Sequence, residues 1–260
     1  MLEEIIISIQ AYFAAHRFIV KHKLWKWIIL PGIIYAILFV LGIYLFWQSS
    51  AHVIDYFFSK TGLKAWLQHE EGGWLRFMFV VGQLILHLIL MLLYFSWFKY
   101  LFLIVGSPLF AWLSEKTEAI IHDMPYEYDA KKLKTSIIRG IRVALRNFTW
   151  QTFFIICIVF LSLVPVAGWA SPVLAVFMEC YYFGFSMLDY TNERRGISFF
   201  HSGEIINAHK GRAIGNGMIF YIMHVVPLVG WILAPGYAVI AATLSAQEKR
   251  DGSFTIRVIK

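Results

Sequence analysis

Long apolar runs alternate with short basic connections along the whole chain. Trp27 to Trp47 (WIILPGIIYAILFVLGIYLFW) holds 21 residues without a charge. At 1.5 Å per residue that is about 31 Å of helix, matching a hydrocarbon core of about 30 Å. The pattern predicts a transmembrane helix over 27–48. Pro31 should cost it little, because N–H groups in a first turn lack helical partners anyway. A second run, Phe77 to Val105, is interrupted only by Lys99. It exceeds one crossing, so a transmembrane helix over 77–105 should tilt or project beyond the bilayer. The excursion between the two runs is polar and balanced in charge.

The flanking segments read differently. Ile5 to Val20 mixes apolar residues with Gln10, His16 and Arg17, a pattern for an interfacial helix within 1–26. Residues 106–148 are polar and include KKLKTSIIRGIRVALRNF, in which Leu133, Ile137, Ile141, Leu145 and Phe148 recur at helical spacing among six basic residues. That spacing predicts a basic amphipathic helix at the membrane surface. A nucleic-acid or partner-helix role fits it less well when its neighbours are membrane-embedded. Two later blocks, 149–188 and 213–246, carry VPVAGWASP and PLVGWILAP, each with two prolines framing a Gly-Trp. Their apolar arms of about 11 to 16 residues span only about 17 to 24 Å, short for a full crossing. They predict proline-tipped helical hairpins, either half-crossing or, with tilt and thinning, fully spanning. Residues 247–260 form a polar tail.

Composition supports a bilayer protein. Hydrophobic residues make up 59% and charged residues 15% of the 260, against roughly 45–50% and about 25% in soluble domains. The net charge of +7 would suit nucleic acid if it formed one solvated face, but the basic residues sit between apolar segments. Counted by connection, Lys and Arg concentrate in 1–26, 106–146, 189–212 and the tail, and the two Gly-Trp tips hold none. The positive-inside rule then predicts both termini in the cytoplasm. Cys157 and Cys180 lie inside apolar runs, so thiols rather than a disulfide are expected. Glu3 and Glu4 stand where a signal peptide carries basic residues, so no cleaved leader is expected.

Signatures of covalent chemistry are missing from the sequence: there is no GxxxxGK[ST], GxSxG, HExxH or CxxC. No enzyme, metal or cofactor is expected. His201 and His209 read as interfacial rather than metal-binding. Gly211 and Gly215 in GRAIGNG have the spacing that lets helices approach closely. The stronger functional candidates are ionisable groups in apolar surroundings, because burying a charge in hydrocarbon is costly. Glu179 in SPVLAVFMECYYFGF is the outstanding case. Gln83 and His87 lie one helical turn apart, and His224 sits in MIFYIMHVVPL. Together these four predict an internal polar path or gate, or alternatively a closed hydrogen-bonded network that only fastens helices.

In its last third the chain resembles the CysZ sulfate-permease and etoposide-induced-protein family. MLDYTNERRGISF at 187–199 and NAHKGRAIGNGMIFYIMHVVPLVGWILAPGYAVIAATL at 207–244 carry the resemblance, with Asp189, Tyr190, Arg194, Arg195, Gly196, Gly215, Pro227 and Pro235 in matching places. GSPLFAWLSEKTE at 106–118 is similar as well, matching at Pro108, Glu115, Lys116 and Glu118. The resemblance extends over nearly the whole chain. It implies an oligomeric helical protein of the bacterial inner membrane, with long transmembrane helices and half-crossing hairpins, that passes sulfate toward the cytoplasm for cysteine biosynthesis.

There are departures from that pattern. The family's sulfate-associated stretch reads approximately Pro-Gly-Leu-Arg-Arg; here it is His22-Lys23-Leu24-Trp25-Lys26. Leu24, Lys26 and Pro31 keep their places, while the glycine is Lys23 and one arginine is Trp25. Lysine offers a point charge where arginine offers a bidentate fork. The family's Asn-Asp pair is Phe110-Ala111, and its proline after Asp-Tyr is Thr191. Lys23, Leu24 and Lys26 are therefore read as an anion site, with Lys23 and Lys26 on one helical face if the helix begins there. The alternative is an interfacial anchor of lysine and tryptophan. The expectation is an all-α membrane protein, a homo-oligomer in the lipid bilayer, permeable to sulfate or a similar small anion. Its rival is a scaffold or lipid-interacting protein without transport.

Overall fold

A computed structural model describes residues 1–60, 73–125, 130–162 and 167–247; the side chains at 81–90, 131–133 and some other helical positions lie outside that description. All regular structure among the described residues is helical. In chain order the helices are α1 (Leu2–Lys21), α2 (Trp25–Lys60), α3 (Gly73–Ile121), α4 (Ala130–Ser162), α5 (Ser171–Arg194), α6 (Phe199–Ala208), α7 (Lys210–His224) and α8 (Val229–Ser245), with a 3-10 turn at Ala167–Ala170 before α5. Among the described residues, four stretches are long and apolar enough to cross a membrane: Trp25–Ser50, Ser96–Ile121, Lys134–Ser162 and Ser171–Arg194. This is a membrane protein built of helices.

Helices continue where the sequence pattern changes. The 36 residues of α2 begin two positions before Trp27, so Pro31 stands seven residues in rather than in the first turn. Its ring leaves the carbonyl of Trp27 without the usual helical donor. The apolar run 77–105 becomes the 49-residue α3, which passes through Pro108 and includes Glu115, Lys116 and Glu118. The basic amphipathic stretch 131–148 and the apolar arm after it form one helix, α4. Counting uncharged residues therefore underestimates the arms of the first hairpin, because the helices run on into their charged ends.

In the second proline-framed block α7 has 15 residues and α8 has 17, about 22 to 26 Å at 1.5 Å per residue. Its non-helical tip is shorter than the sequence suggests. Gly230 and Trp231 already belong to α8, and Pro235 lies inside it. Leu228 turns the chain in the left-handed region, with φ 61°, and the Trp231 indole N–H donates to the carbonyl of His224 at 3.0 Å. A tryptophan thus answers a carbonyl exposed at the end of α7.

The chain forms two compact units, one of Met1–Ala36 with the chain from Phe102 onward, the other of Ile37–Leu101. In the second unit α2 and α3 meet through rings: Phe39 on Phe98 at 6.4 Å and Phe46 on Tyr94 at 5.1 Å. In the first unit, α5 and α7 cross at small residues. A side chain at Gly184 would collide with the carbonyl of Ala213, and one at Gly217 with the carbonyl of Cys180. Backbones in contact make close dispersion packing, which holds helices together where lipid removes the hydrophobic drive. Phe183 and Phe220 stack at 3.7 Å beside that crossing. The other face of α7, with Gly211 and Gly215, receives α1 at Met1, Glu4, Ile5 and Ser8. Small-residue spacing in GRAIGNG therefore serves α1, and Gly217 serves α5. Ala11, Ala15 and Ile19 bury one face of α1 completely, while Phe13 and Val20 stay exposed on another.

Candidate anion site and polar networks

The joint between α1 and α2 is set by backbone geometry. Leu24 N–H donates to Ile19 at 3.0 Å and Lys23 N–H to Val20 at 3.4 Å, the paired bonds that close a helix when the next residue turns left-handed. That residue is Lys23, with φ 54°. It occupies the position where the resembled family has glycine, the residue that enters this region without steric cost. Leu24 follows and is buried at 2% exposure. Its carbonyl takes the N–H groups of Trp27 and Ile28 at 3.0 and 3.3 Å, leaving the amides of Trp25 and Lys26 as the open start of α2. Lys23 precedes the helix and Lys26 lies in its first turn, so they flank the helix start rather than share a helical face. Both are exposed, and among the described residues neither is in an ion pair.

Trp25 packs edge-on to His16 at 6.3 Å, and His16 Nδ1 lies 2.7 Å from the Tyr237 hydroxyl. On the next turn Trp27 meets Trp112 at 4.4 Å, and the Lys116 ammonium lies 4.3 Å from the Trp27 ring and 5.0 Å from the Trp112 ring. A cation over aromatic faces is attracted by their quadrupoles. Lys116 therefore braces the start of α2 from α3.

The remaining matched positions gather into an ionic cluster at the ends of α3, α4 and α5. Asp189, with a side chain only 4% exposed, accepts from Arg139 Nε at 3.0 Å and Nη2 at 2.9 Å. Ser202 adds a hydroxyl donor at 2.5 Å. Arg139 also donates to the carbonyl of Ile197 at 2.5 Å. A buried carboxylate in a bidentate pair with further donors meets the condition under which burying two charges is tolerated. Arg194 reaches Glu115 at 3.6 Å and Glu193 at 3.8 Å and donates to Ser136; Arg195 reaches Glu118 at 3.4 Å. Gly196, at φ 73°, closes α5, with Ile197 N–H donating to Asn192 at 3.0 Å. The basic connections 106–146 and 189–212 thus meet at one end of this unit.

Pro108 and Tyr190 form a second junction. Proline cannot donate to the carbonyl four residues earlier, and the Ser107 hydroxyl donates to that carbonyl, Ile104, at 2.9 Å. The buried Tyr190 hydroxyl donates to the neighbouring Leu103 carbonyl at 3.4 Å.

Glu179 is placed between three helices. Gln151 of α4 donates to Oε1 at 2.5 Å, and Tyr221 of α7 donates to Oε2 at 3.1 Å. His224, one turn beyond Tyr221, lies 3.3 Å from the Tyr35 hydroxyl and stacks on Phe220 at 5.5 Å. The side chains of Gln83 and His87 lie outside the described residues. Sequence reasoning missed Arg139, Gln151, Ser202 and Tyr221. No pattern marks them: each is an ordinary residue of its segment until the fold supplies its partner.

A family model described as sulfate transporter CysZ/etoposide-induced protein 2.4 matches residues 11–235. The sulfate transporter CysZ of Pseudomonas syringae pv. tomato is similar at 24% identity over 174 residues, 66% of this chain and 68% of the relative. That family names a transporter and not an enzyme. With a match running from α1 into α8, the chain belongs to the sulfate transporter CysZ/etoposide-induced protein family.

Proposed function

We propose that the protein passes sulfate, or a small anion of similar charge and size, across a bacterial inner membrane, with both termini on the cytoplasmic side. The observation that carries this reading is the start of α2. Two exposed lysines without ion-pair partners among the described residues flank two open backbone amides, and a helix start with free N–H groups attracts anions. Lys23 and Lys26 supply charge and the buried Leu24 fixes the joint. Lysine recognises an oxyanion as a point charge, so selectivity among small anions is expected to be broader than with two arginines.

Glu179 repels anions as a carboxylate, and its bonds to α4 and α7 suit a gate or proton-linked element better than a binding site. Gln83, His87 and His224 extend the same proposed path. No nucleotide-binding signature accompanies it, so the anion follows a gradient. The assembly is a homo-oligomer in the bilayer.

A second reading, a membrane scaffold that binds lipid without transport, is favoured by the Lys116–Trp27–Trp112 stack, the composition of an interfacial anchor. Radiolabelled sulfate uptake into proteoliposomes separates the two. Wild type should take up sulfate above empty vesicles, and Lys23→Gln/Lys26→Gln should do so at least tenfold more slowly. Uptake no higher than in empty vesicles favours the scaffold. Undiminished uptake by the double variant removes the anion site from the α1–α2 joint.

A further inference from the structure

Between α4, α5 and α7 lies a cleft of about 460 Å³ that the transport reading does not use. Its polar end holds Arg146, Lys210, Tyr181 and Asn207. Arg146 is half-buried, lies 4.2 Å from the Phe185 ring and donates to Asn147 at 3.2 Å. Neither Arg146 nor Lys210 forms an ion pair with a carboxylate among the described residues. The nearby Asp189 is committed to Arg139. Two cations thus line one cleft with no ion-pair partner among the described residues.

The cleft changes character along α5. Trp150 and Phe154 also line it, and it shares Phe177 with a second groove of about 300 Å³ whose lining among the described residues is Pro172, Val173, Val176, Phe177, Cys180 and Met218. From Phe185 to Pro172 the two follow 14 residues of α5, about 20 Å along the axis. One leaflet contributes about 15 Å to a ~30 Å hydrocarbon core. Val173 and Val176 are exposed at 57% and 60%. A small soluble anion has no use for such a groove, whereas an acyl chain does.

We infer that this cleft binds an anionic phospholipid, its phosphate between Arg146 and Lys210 and one acyl chain along Phe154, Phe177 and Val176. The charge complementarity selects an acidic headgroup, and the length of the apolar groove selects a lipid over a free oxyanion. This site is separate from Lys23 and Lys26, so it stands or falls independently of the transport reading.

Native mass spectrometry of the delipidated full chain tests it, with phosphatidylglycerol, phosphatidylcholine and glycerol 3-phosphate as probes. Phosphatidylglycerol should bind at least tenfold more tightly than phosphatidylcholine. That preference should vanish in Lys210→Glu, an exposed change that leaves packing alone, and in Arg146→Gln. Val176→Trp, which fills the groove, should weaken both lipids. Equal affinity for the two lipids overturns the proposal, as does an intact preference in folded Lys210→Glu. Glycerol 3-phosphate binding as tightly as the lipid overturns it too, and reassigns the cleft to soluble oxyanions.

Discussion

Tyr190 on α5 donates a hydrogen bond to the carbonyl of Leu103 on α3, in the turn that precedes Pro108. Ser107 fills the carbonyl that Pro108 cannot reach and Tyr190 ties the same turn to α5, while a 49-residue helix passes through the proline without ending. Tyr190→Phe should destabilise the protein by about 1 kcal/mol, the net worth of one hydrogen bond. In a Pro108→Ala background the same change should cost as much within about 0.5 kcal/mol, because the helical donor to Leu103 is the Ser107 N–H, which the proline does not remove. Unfolding in mixed micelles, followed by circular dichroism across the four proteins of the cycle, measures the coupling. A cycle that is not additive ties the tyrosine to the proline.

The Asp189–Arg139 pair gives a larger effect. Removing one partner strands the other charge, so Asp189→Leu alone should cost about 3–5 kcal/mol. Asp189→Leu/Arg139→Leu should recover most of that loss, because two apolar side chains leave no orphan charge. Denaturant midpoints of the three proteins decide this. If the double variant is as unstable as the single one, the cluster does more than neutralise itself.

Lys23 allows strain and charge to be separated. Lys23→Gly relieves a left-handed conformation that costs an L-residue about 1–2 kcal/mol, and should raise the thermal midpoint while weakening sulfate binding. Lys23→Ala keeps the strain and loses the charge, so it should weaken binding to the same extent without the gain in stability. Thermal shift with and without sulfate reads both quantities. Equal sulfate-dependent stabilisation in all three proteins assigns Lys23 to the turn alone.

Glu179→Gln preserves size but replaces one acceptor oxygen by an NH2 donor and removes the ionisable carboxyl, so Gln151 and Tyr221 can no longer both donate to residue 179. Sulfate uptake should fall at least tenfold while sulfate-dependent thermal stabilisation persists, the signature of a step after binding. Loss of both together instead makes Glu179 a packing residue.

How much of this was legible in the sequence depended on the kind of signal. Uncharged runs marked where helices occur, because hydrocarbon penalises charge and exposed backbone, whereas the Pro-Gly-Trp punctuation was less exact, since Gly230, Trp231 and Pro235 lie inside α8. Helix length was less legible. Pro108 reads as a boundary locally, yet the Ser107 hydroxyl answers the carbonyl it leaves open, and Tyr190, 87 positions beyond its acceptor Leu103, ties that turn to α5. Arg139 resembles its basic neighbours until Asp189, 50 positions away, arrives beside it. Glu179 stood out as a lone acid, but glutamine and tyrosine are too common in membrane helices to mark Gln151 and Tyr221 as its partners. A joint near residue 26 was legible, but Lys23 concealed its left-handed turn, since such a helix end normally shows itself as glycine.

Glu4 caps α7: it accepts from Gly211 N–H at 3.0 Å and lies 2.7 Å from His209. The partners are 207 positions apart. At roughly 5–20 residues per second of synthesis, α1 must wait on the order of ten to forty seconds after it is made before its docking surface on α7 follows. The bundle is therefore fastened late by a segment made early, and bulk attached just ahead of α1 would disturb the pairing of α7 and α8 more than the helix that directly follows α1.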